Sequence, residues 1–311
     1  MKLDKLKALV KKYSNTHCPG SKKSIMVFST PRSGSTWLME LIWSQPGFKY
    51  CNEPLNLRNP LVVKNSGVNS WCQLYDPVFT KQLFKYFEKI NKGEIRDLNP
   101  NPFNKFYRYK TDRIVFKILH GMEDKVVLLT EYCDTVPLLL IRHPIAVSVS
   151  REVLPRMECH FKNDFSANIP ADILKRARQI VDSGTFLQKA VVCWCFENYY
   201  QLKEVSARKY MGITYEEMVL NPKAAVSRLA PYLDLGDEKV ILENLAKPSK
   251  TTGKSDLQTQ KIISENYSAE LILNKWKNKV SEKDIKNSQD ILDLFEIDIY
   301  RANEAVPLRY F

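Results

Sequence analysis

Four short apolar runs of strand type, Ile25–Ser29, Arg113–Ile118, Pro137–Ile141 and Tyr210–Thr214, constrain this chain more than any other feature. Helical patterns lie between and after them, over Thr36–Ser44, Ala190–Val205, Pro222–Leu233 and Glu282–Phe295. Buried strands that alternate with helices argue for a parallel sheet covered on both faces, an α/β sandwich of three layers. Such sheets collect ligands at the carboxyl ends of their strands, so chemistry is sought just after each run. A length of 311 residues with 44% hydrophobic content fills one large α/β domain with insertions. We expect a single domain over 1–311, with lid or acceptor-wall insertions at 58–112 and 154–170. The first of these is rich in Asn, Pro and aromatics and carries one helical pattern, near Lys81–Ile90.

Charge narrows the partners. A formal net charge of +12 biases the protein towards anions: nucleic acid, a membrane surface or a polyanionic small molecule. No apolar run reaches the ~18 residues of a spanning helix, and the basic N-terminus lacks the apolar stretch of a secretory signal. Leu3, Leu6, Val10 and Tyr13 share one helical face there, which suits a helix packed on the domain better than a membrane anchor. Seven cysteines without a C-x-x-C pattern fit neither a disulfide framework nor a zinc site. The expected compartment is therefore reducing and cytoplasmic.

The run from Ile25 to Trp37 joins an apolar strand, a short loop and a helix start. Ser33, Ser35 and Thr36 offer hydroxyls, and Gly34 lets the backbone come close to a ligand. Free amides and the dipole of a helix N-terminus attract an anion, and Arg32 adds a planar cationic fork. The same residues would also make an ordinary N-capped helix after a turn. An NTPase loop would need G-x-x-x-x-G-K-[ST] and a metal-holding Asp at a strand end. This loop lacks the Gly–Lys pair, and the candidate strand Pro137–Ile141 ends in Arg142. A site that meets its anion with arginines has little need of a metal, and none is expected.

A second strand–turn–helix unit runs from Leu138 to Ser150, with Pro144 placed for the first helical turn. Arg142 stands at the strand end, and Ser150 follows eight residues later, about two turns into the expected helix.

The loop T-P-R-S-G-S-T-W at Thr30–Trp37 resembles the 5′-phosphosulfate loop of sulfotransferases that use 3′-phosphoadenosine 5′-phosphosulfate (PAPS), in which Lys or Arg leads S-G-[ST]-T. The Arg142–Ser150 pair is similar to that family's 3′-phosphate motif, and the two occur in the family's order. The resemblance implies a P-loop-like three-layer sandwich forming one sulfotransferase domain, with PAPS as donor and PAP as product. It assigns Arg32, Ser33, Gly34, Ser35, Thr36 and Trp37 to the 5′ end of the donor, and Arg142 and Ser150 to its 3′-phosphate. Gly212–Pro222 resembles the family's "YE-x-LV-x-x-P" segment, which makes Tyr215 a cofactor contact; a half-buried aromatic at a strand end remains its other reading. Trp194 resembles a family tryptophan on the preceding long helix and reads as core. Ser249, Lys250 and Lys254 are candidates for a basic loop over the 3′-phosphate, although the R-K-G pattern of the cytosolic branch is not reproduced.

For catalysis the resemblance implies a base and cations, without a covalent intermediate. Glu53, in C-N-E-P-L, is the candidate base; carbohydrate and tyrosylprotein sulfotransferases carry a glutamate in a similar place. A surface Glu in a turn before Pro54 is the competing reading. Lys117 resembles the lysine that stabilises the transferring group, together with Arg32. His120 is the rival base, one residue further on than in the K-x-H of small-molecule sulfotransferases; His143 and His160 have weaker claims. The acceptor expected is a small molecule bearing a hydroxyl, amine or N-hydroxyl, as in secondary metabolism, with a carbohydrate or tyrosyl hydroxyl as the alternative. Two other classes compete. One is a P-loop nucleotide kinase or NTPase. The other is a nucleic-acid module built on the aromatic and basic stretch Phe103–Lys110, which ranks last because basic residues are otherwise dispersed. The oligomeric state is not legible in the sequence.

Overall fold

In the computed structural model of the protein, which describes residues 14–95, 106–162, 165–245 and 269–311, the apolar runs are strands. β2 (Ser24–Ser29) and β5 (Arg113–Ile118) are buried at every position, the pattern of strands covered on both faces. β6 (Thr135–Ile141) starts two residues before the apolar run, because β-branched Thr135 and Val136 extend it. β7 covers Met211–Thr214, and β3 covers Phe48–Asn52, burying only Phe48 and Cys51 as an edge strand does. These five make one sheet in the order β3-β5-β2-β6-β7, flanked by helices in an α/β fold. β2 and β3 both pair in parallel with β5, and Asn52 stands opposite Lys117. A further parallel pair joins β1 (Thr16–His17) to β4 (Lys110–Thr111).

In chain order the first helices are α1 (Ser35–Trp43), α2 (Pro60–Ser66), α3 (Pro77–Asn91) and α4 (Val126–Tyr132). Next come α5 (Pro144–Ser148), α6 (Ala171–Ser183), α7 (Phe186–Ser206) and α8 (Tyr215–Leu220). The last are α9 (Pro222–Tyr232), α10 (Glu238–Leu245), α11 (Ala269–Asn274) and α12 (Glu282–Leu294).

The described residues divide into two compact units. The first draws on 14–28, 38–95, 106–138 and 226–245, the second on 29–37, 139–162, 165–225 and 269–311. Inside the first, α3 buries Leu83, Phe84, Phe87 and Ile90 along one face, and Phe87 meets Phe116 of β5 with ring centroids 6.0 Å apart. Pro77 and an Asp76 carboxylate that accepts from Val78 N start α3 four residues before the expected pattern. The insertion holds a second helix that the sequence reading did not anticipate, α2, started by the Asn59 side chain and stopped by Gly67 at φ 69°.

Inside the second unit, α7 is buried continuously from Ala190 to Tyr199 and packs against α5, α6 and α12. A helix buried on every face belongs in a core, and Cys193 and Cys195 lie there as free thiols. Burial raises both thiols, Cys193 to about 12. The expectation of thiols throughout is corrected at two positions: Cys72 and Cys159 are disulfide-bonded. Sequence spacing does not show which thiols folding brings to a partner. The N-terminal helical face at Leu3–Tyr13 lies outside the described residues.

Candidate active site

The loop after β2 is built as its composition dictates. Ser33 N donates to Thr30 O at 3.3 Å, the two hydroxyls lie 2.5 Å apart, and both side chains are buried. Arg32 and Gly34 have φ of 75° and 88°, a left-handed pair that turns the chain into α1 at Ser35. For Arg32 this backbone is strained, a cost of order 1–2 kcal/mol. Gly34 answers to a different constraint. A Cβ built on it would lie 2.6 Å from Tyr215 Cδ2, so only glycine lets backbone and ring approach. The first amides of α1 have no intrahelical acceptors, which makes this turn a place for an anion.

Arg142 follows β6 directly. Its Nη1 donates to Arg32 O at 3.2 Å, and its guanidinium carbon lies 4.2 Å from the centre of the Tyr215 ring. Its Nε is buried without a hydrogen-bond partner among the described residues. Trp37 meets the same tyrosine edge-on, centroids 5.8 Å apart. Residues picked from three separate motifs (Arg32 and Gly34, Arg142, Tyr215) thus converge within the second unit. An unpartnered guanidinium N–H, a cradle that a Cβ would fill and a run of helix N-terminal amides suit a phosphate-bearing ligand.

The peptide joining Arg142 to His143 is held firmly. Trp194 Nε1 donates to Arg142 O at 3.2 Å, and His143 N donates to Glu216 Oε1 at 3.0 Å. Glu216 Oε2 accepts the Tyr300 hydroxyl at 2.8 Å. Burial raises the Glu216 carboxyl and lowers the His143 imidazole to about 3. His143 is accordingly neutral: Nε2 donates to Arg301 O at 3.2 Å, Nδ1 accepts Ala146 N–H at 3.5 Å, and the ring stacks on Trp276. Glu216 and Tyr300 went unremarked in the sequence, although Glu216 stands in the same Tyr–Glu pair that drew attention to Tyr215.

Ser150 does not lie two turns into a helix. α5 ends at Ser148, because Val147 and Val149 are β-branched and Ser148 and Ser150 compete for backbone hydrogen bonds. The Ser150 hydroxyl donates back to Val147 O at 2.8 Å and Ala146 O at 3.3 Å. Arg151, the next residue, is buried and paired with Glu197 Oε2 at 2.5 Å; Arg156 binds the other oxygen. His160 is wholly buried and burial holds its imidazole well below its ordinary value, so it has no route to an acceptor proton. Ser249, Lys250 and Lys254 lie outside the described residues.

In the first unit, parallel register sets a glutamate beside a lysine. Glu53 follows β3 immediately, its N–H donates to Lys117 O at 2.9 Å, and its φ of 54° turns the chain out of the strand. Glu53 Oε1 then meets Lys117 Nζ at 3.0 Å, while Oε2 accepts Asn56 Nδ2 at 2.8 Å. The Lys117 side chain is 5% exposed and that of Glu53 21%, so the carboxylate is held from behind and open in front. Asn56 was missed in the sequence; its position three residues after Glu53 in a turn was the available signal. His120, three residues beyond Lys117, is half-buried and lies edge-on to Trp71, centroids 5.1 Å apart. The loop it starts packs Gly121 on Leu55 and Leu74.

In the basic aromatic stretch, Arg108 donates to Trp43 O at 3.1 Å and Ser44 O at 2.9 Å. That closes the carboxyl end of α1. Its charge serves the fold. No group of three or more His, Cys, Asp or Glu residues placed to hold a metal occurs among the described residues, and no helix among them is long and apolar enough to cross a membrane.

The sequence matches the family model of the sulfotransferase domain over residues 22–296. No curated protein matches it. Among solved structures, the sulfotransferase domain from the curacin biosynthetic pathway is 16% identical with a TM-score of 0.45, covering 90% of this chain and 99% of that one. The sulfotransferase domain from the Synechococcus PCC 7002 olefin synthase is 15% identical with a TM-score of 0.44, covering 92% and 96%. A mouse sulfotransferase, SULT7A1, complexed with PAP is 10% identical with a TM-score of 0.42, covering 91% and 88%.

Proposed function

The chain belongs to the sulfotransferase domain family, and from that premise we propose that it transfers a sulfuryl group from PAPS to a small-molecule acceptor, with Glu53 as general base. The family makes it a sulfotransferase; the donor-binding residues, the base and the acceptor are our assignments. One observation carries the donor assignment: Arg142, with an unpartnered Nε, joins the carbonyl of Arg32 to the face of Tyr215. We assign the 5′ end of the donor to Arg32, Ser33, Gly34, Ser35, Thr36 and Trp37. Arg142 and Ser150 take the 3′-phosphate, and Tyr215 takes a place beside the adenosine. Ser150 can serve because a hydroxyl that donates to backbone keeps its lone pairs and can turn its hydrogen to a phosphate oxygen.

Bound PAPS supplies a sulfuryl group on a phosphate leaving group. The chain's own residues orient, neutralise and move one proton. Glu53 is held by Asn56 and Lys117 through one hydrogen bond on each oxygen, and each oxygen retains a lone pair for the acceptor's O–H or N–H. Lys117 and Arg32 are the cations we assign to charge that develops on the bridging oxygen. His120 is the alternative base. The pairing of Trp71 with His120, beside Leu55 and Leu74, supports an acceptor with apolar surface around its hydroxyl or N-hydroxyl, of natural-product type.

Thermal stabilisation by 3′,5′-ADP against ATP with Mg²⁺ tests the donor. At a hundredfold excess over its Kd, 3′,5′-ADP should add about 2.7 kcal/mol of stability. A shift with ATP and Mg²⁺ alone would reject the assignment. Screening acceptors with labelled PAPS then identifies the product.

A further inference from the structure

A single peptide unit, the one that joins Arg142 to His143, is fixed at both of its polar atoms. Its carbonyl accepts from Trp194 Nε1, and its N–H donates to Glu216 Oε1. Both partners are buried, Trp194 at 0% exposure and Glu216 at 1%, and Tyr300 at 0% holds the second carboxylate oxygen. A buried carboxylate is costly unless its lone pairs are used, and here its bonds go to a backbone amide and a phenol rather than to a cation. The guanidinium of Arg142 springs from the Cα at the amino side of this peptide. The plane of the peptide therefore sets ψ of Arg142 and the direction its side chain leaves the strand. The Tyr215–Glu216 pair touches Arg142 twice, by the ring beneath its guanidinium and by the carboxylate on its following amide.

We propose that Glu216 and Trp194 are positioning residues that aim Arg142 at the 3′-phosphate of the donor, with Tyr300 holding Glu216 in place. The inference rests on the donor reading above, in which Arg142 binds that phosphate. It predicts a loss confined to ligands that carry a 3′-phosphate, which a general loss of folding would not produce.

The full-length chain and its Arg142→Ala, Trp194→Phe, Tyr300→Phe and Glu216→Gln variants would be titrated calorimetrically with 3′,5′-ADP and with 5′-AMP. Trp194→Phe and Tyr300→Phe keep aromatic rings and remove one donor each. Each should weaken 3′,5′-ADP by about 3- to 10-fold, the worth of one net hydrogen bond, with 5′-AMP affinity held within about twofold. Glu216→Gln, which keeps an oxygen for His143 N–H, should retain most of the preference for 3′,5′-ADP. Equal losses for both nucleotides in the two ring variants, or no loss for either, would overturn the positioning role. If Arg142→Ala still abolished the preference for 3′,5′-ADP, the donor reading would survive that result. If Arg142→Ala left the preference intact, the donor reading and this inference would fall together.

Discussion

Glu197 lies between Arg151 and Arg156 on α7, with all three side chains no more than 4% exposed, so one carboxylate serves two buried guanidinium groups. Its attraction offsets the desolvation of Arg151, which on balance is raised above its ordinary value. Removing the carboxylate strands two charges away from water. Glu197→Ala is expected to destabilise the protein by about 3–5 kcal/mol, measured by urea denaturation. A loss under about 1 kcal/mol would mean that water already reaches the arginines. Glu53 predicts the opposite pairing of effects. Glu53→Gln keeps the shape and the possibility of a bond with Asn56 but has no proton-accepting carboxylate. Turnover should fall about 10²- to 10⁴-fold while 3′,5′-ADP binds as before, and unchanged turnover would transfer the base role to His120.

Among the elements, α7 carries the most. Its 21 residues present Trp194 to the Arg142 peptide and Glu197 to the paired arginines. Its start is set by a capping box, in which Thr185 accepts from Gln188 N and Gln188 Oε1 accepts from Thr185 N. This cap is exposed and remote from both Trp194 and Arg142 in sequence, so it acts on stability through the helix end alone. Thr185→Ala should cost about 0.5–2 kcal/mol in urea denaturation without altering the preference for 3′,5′-ADP over 5′-AMP. Two elements also explain where pattern reading went astray. α5 was expected to include Ser150, but propensity stopped it at Ser148. α2 was not expected because seven residues between Asn59 and Gly67 are too short to show a period; only its capping residues mark it.

For the whole molecule, acid is the informative stress. Burial lowers His143 from 6.5 to about 3, so the folded protein keeps this imidazole neutral while the unfolded chain protonates near 6.5. Between those values the unfolded state binds the extra proton. The stability this group confers is complete above about pH 6.5 and is lost as the pH falls towards 3, by about 1.4 kcal/mol per unit. His160, which burial holds well below its ordinary value, acts in the same sense. The urea midpoint should therefore drop between pH 7.5 and 5, and more gently in His143→Gln. Identical profiles for the two proteins would contradict the account of a neutral buried imidazole.

The sheet, its parallel sense and the two strand–turn–helix units were legible in the sequence, because they depend on apolar runs and on loop residues close together along the chain. Arg113–Ile118 emerged as a strand with the boundaries its pattern implied, Arg142 stood at the end of its strand, and Arg32 lay in the loop after β2. Register and partnership belong to tertiary structure. Lys117 and Glu53 are 64 residues apart, and only the pairing of Asn52 with Lys117 across β3 and β5 sets the carboxylate on the ammonium. Likewise Trp194 and Glu216 meet a peptide bond more than fifty residues distant, and Tyr300 meets the Glu216 carboxylate from a still greater separation, so periodicity does not reveal these contacts. Periodicity reports what one segment buries; it holds no information about which backbone atom from another segment meets it there.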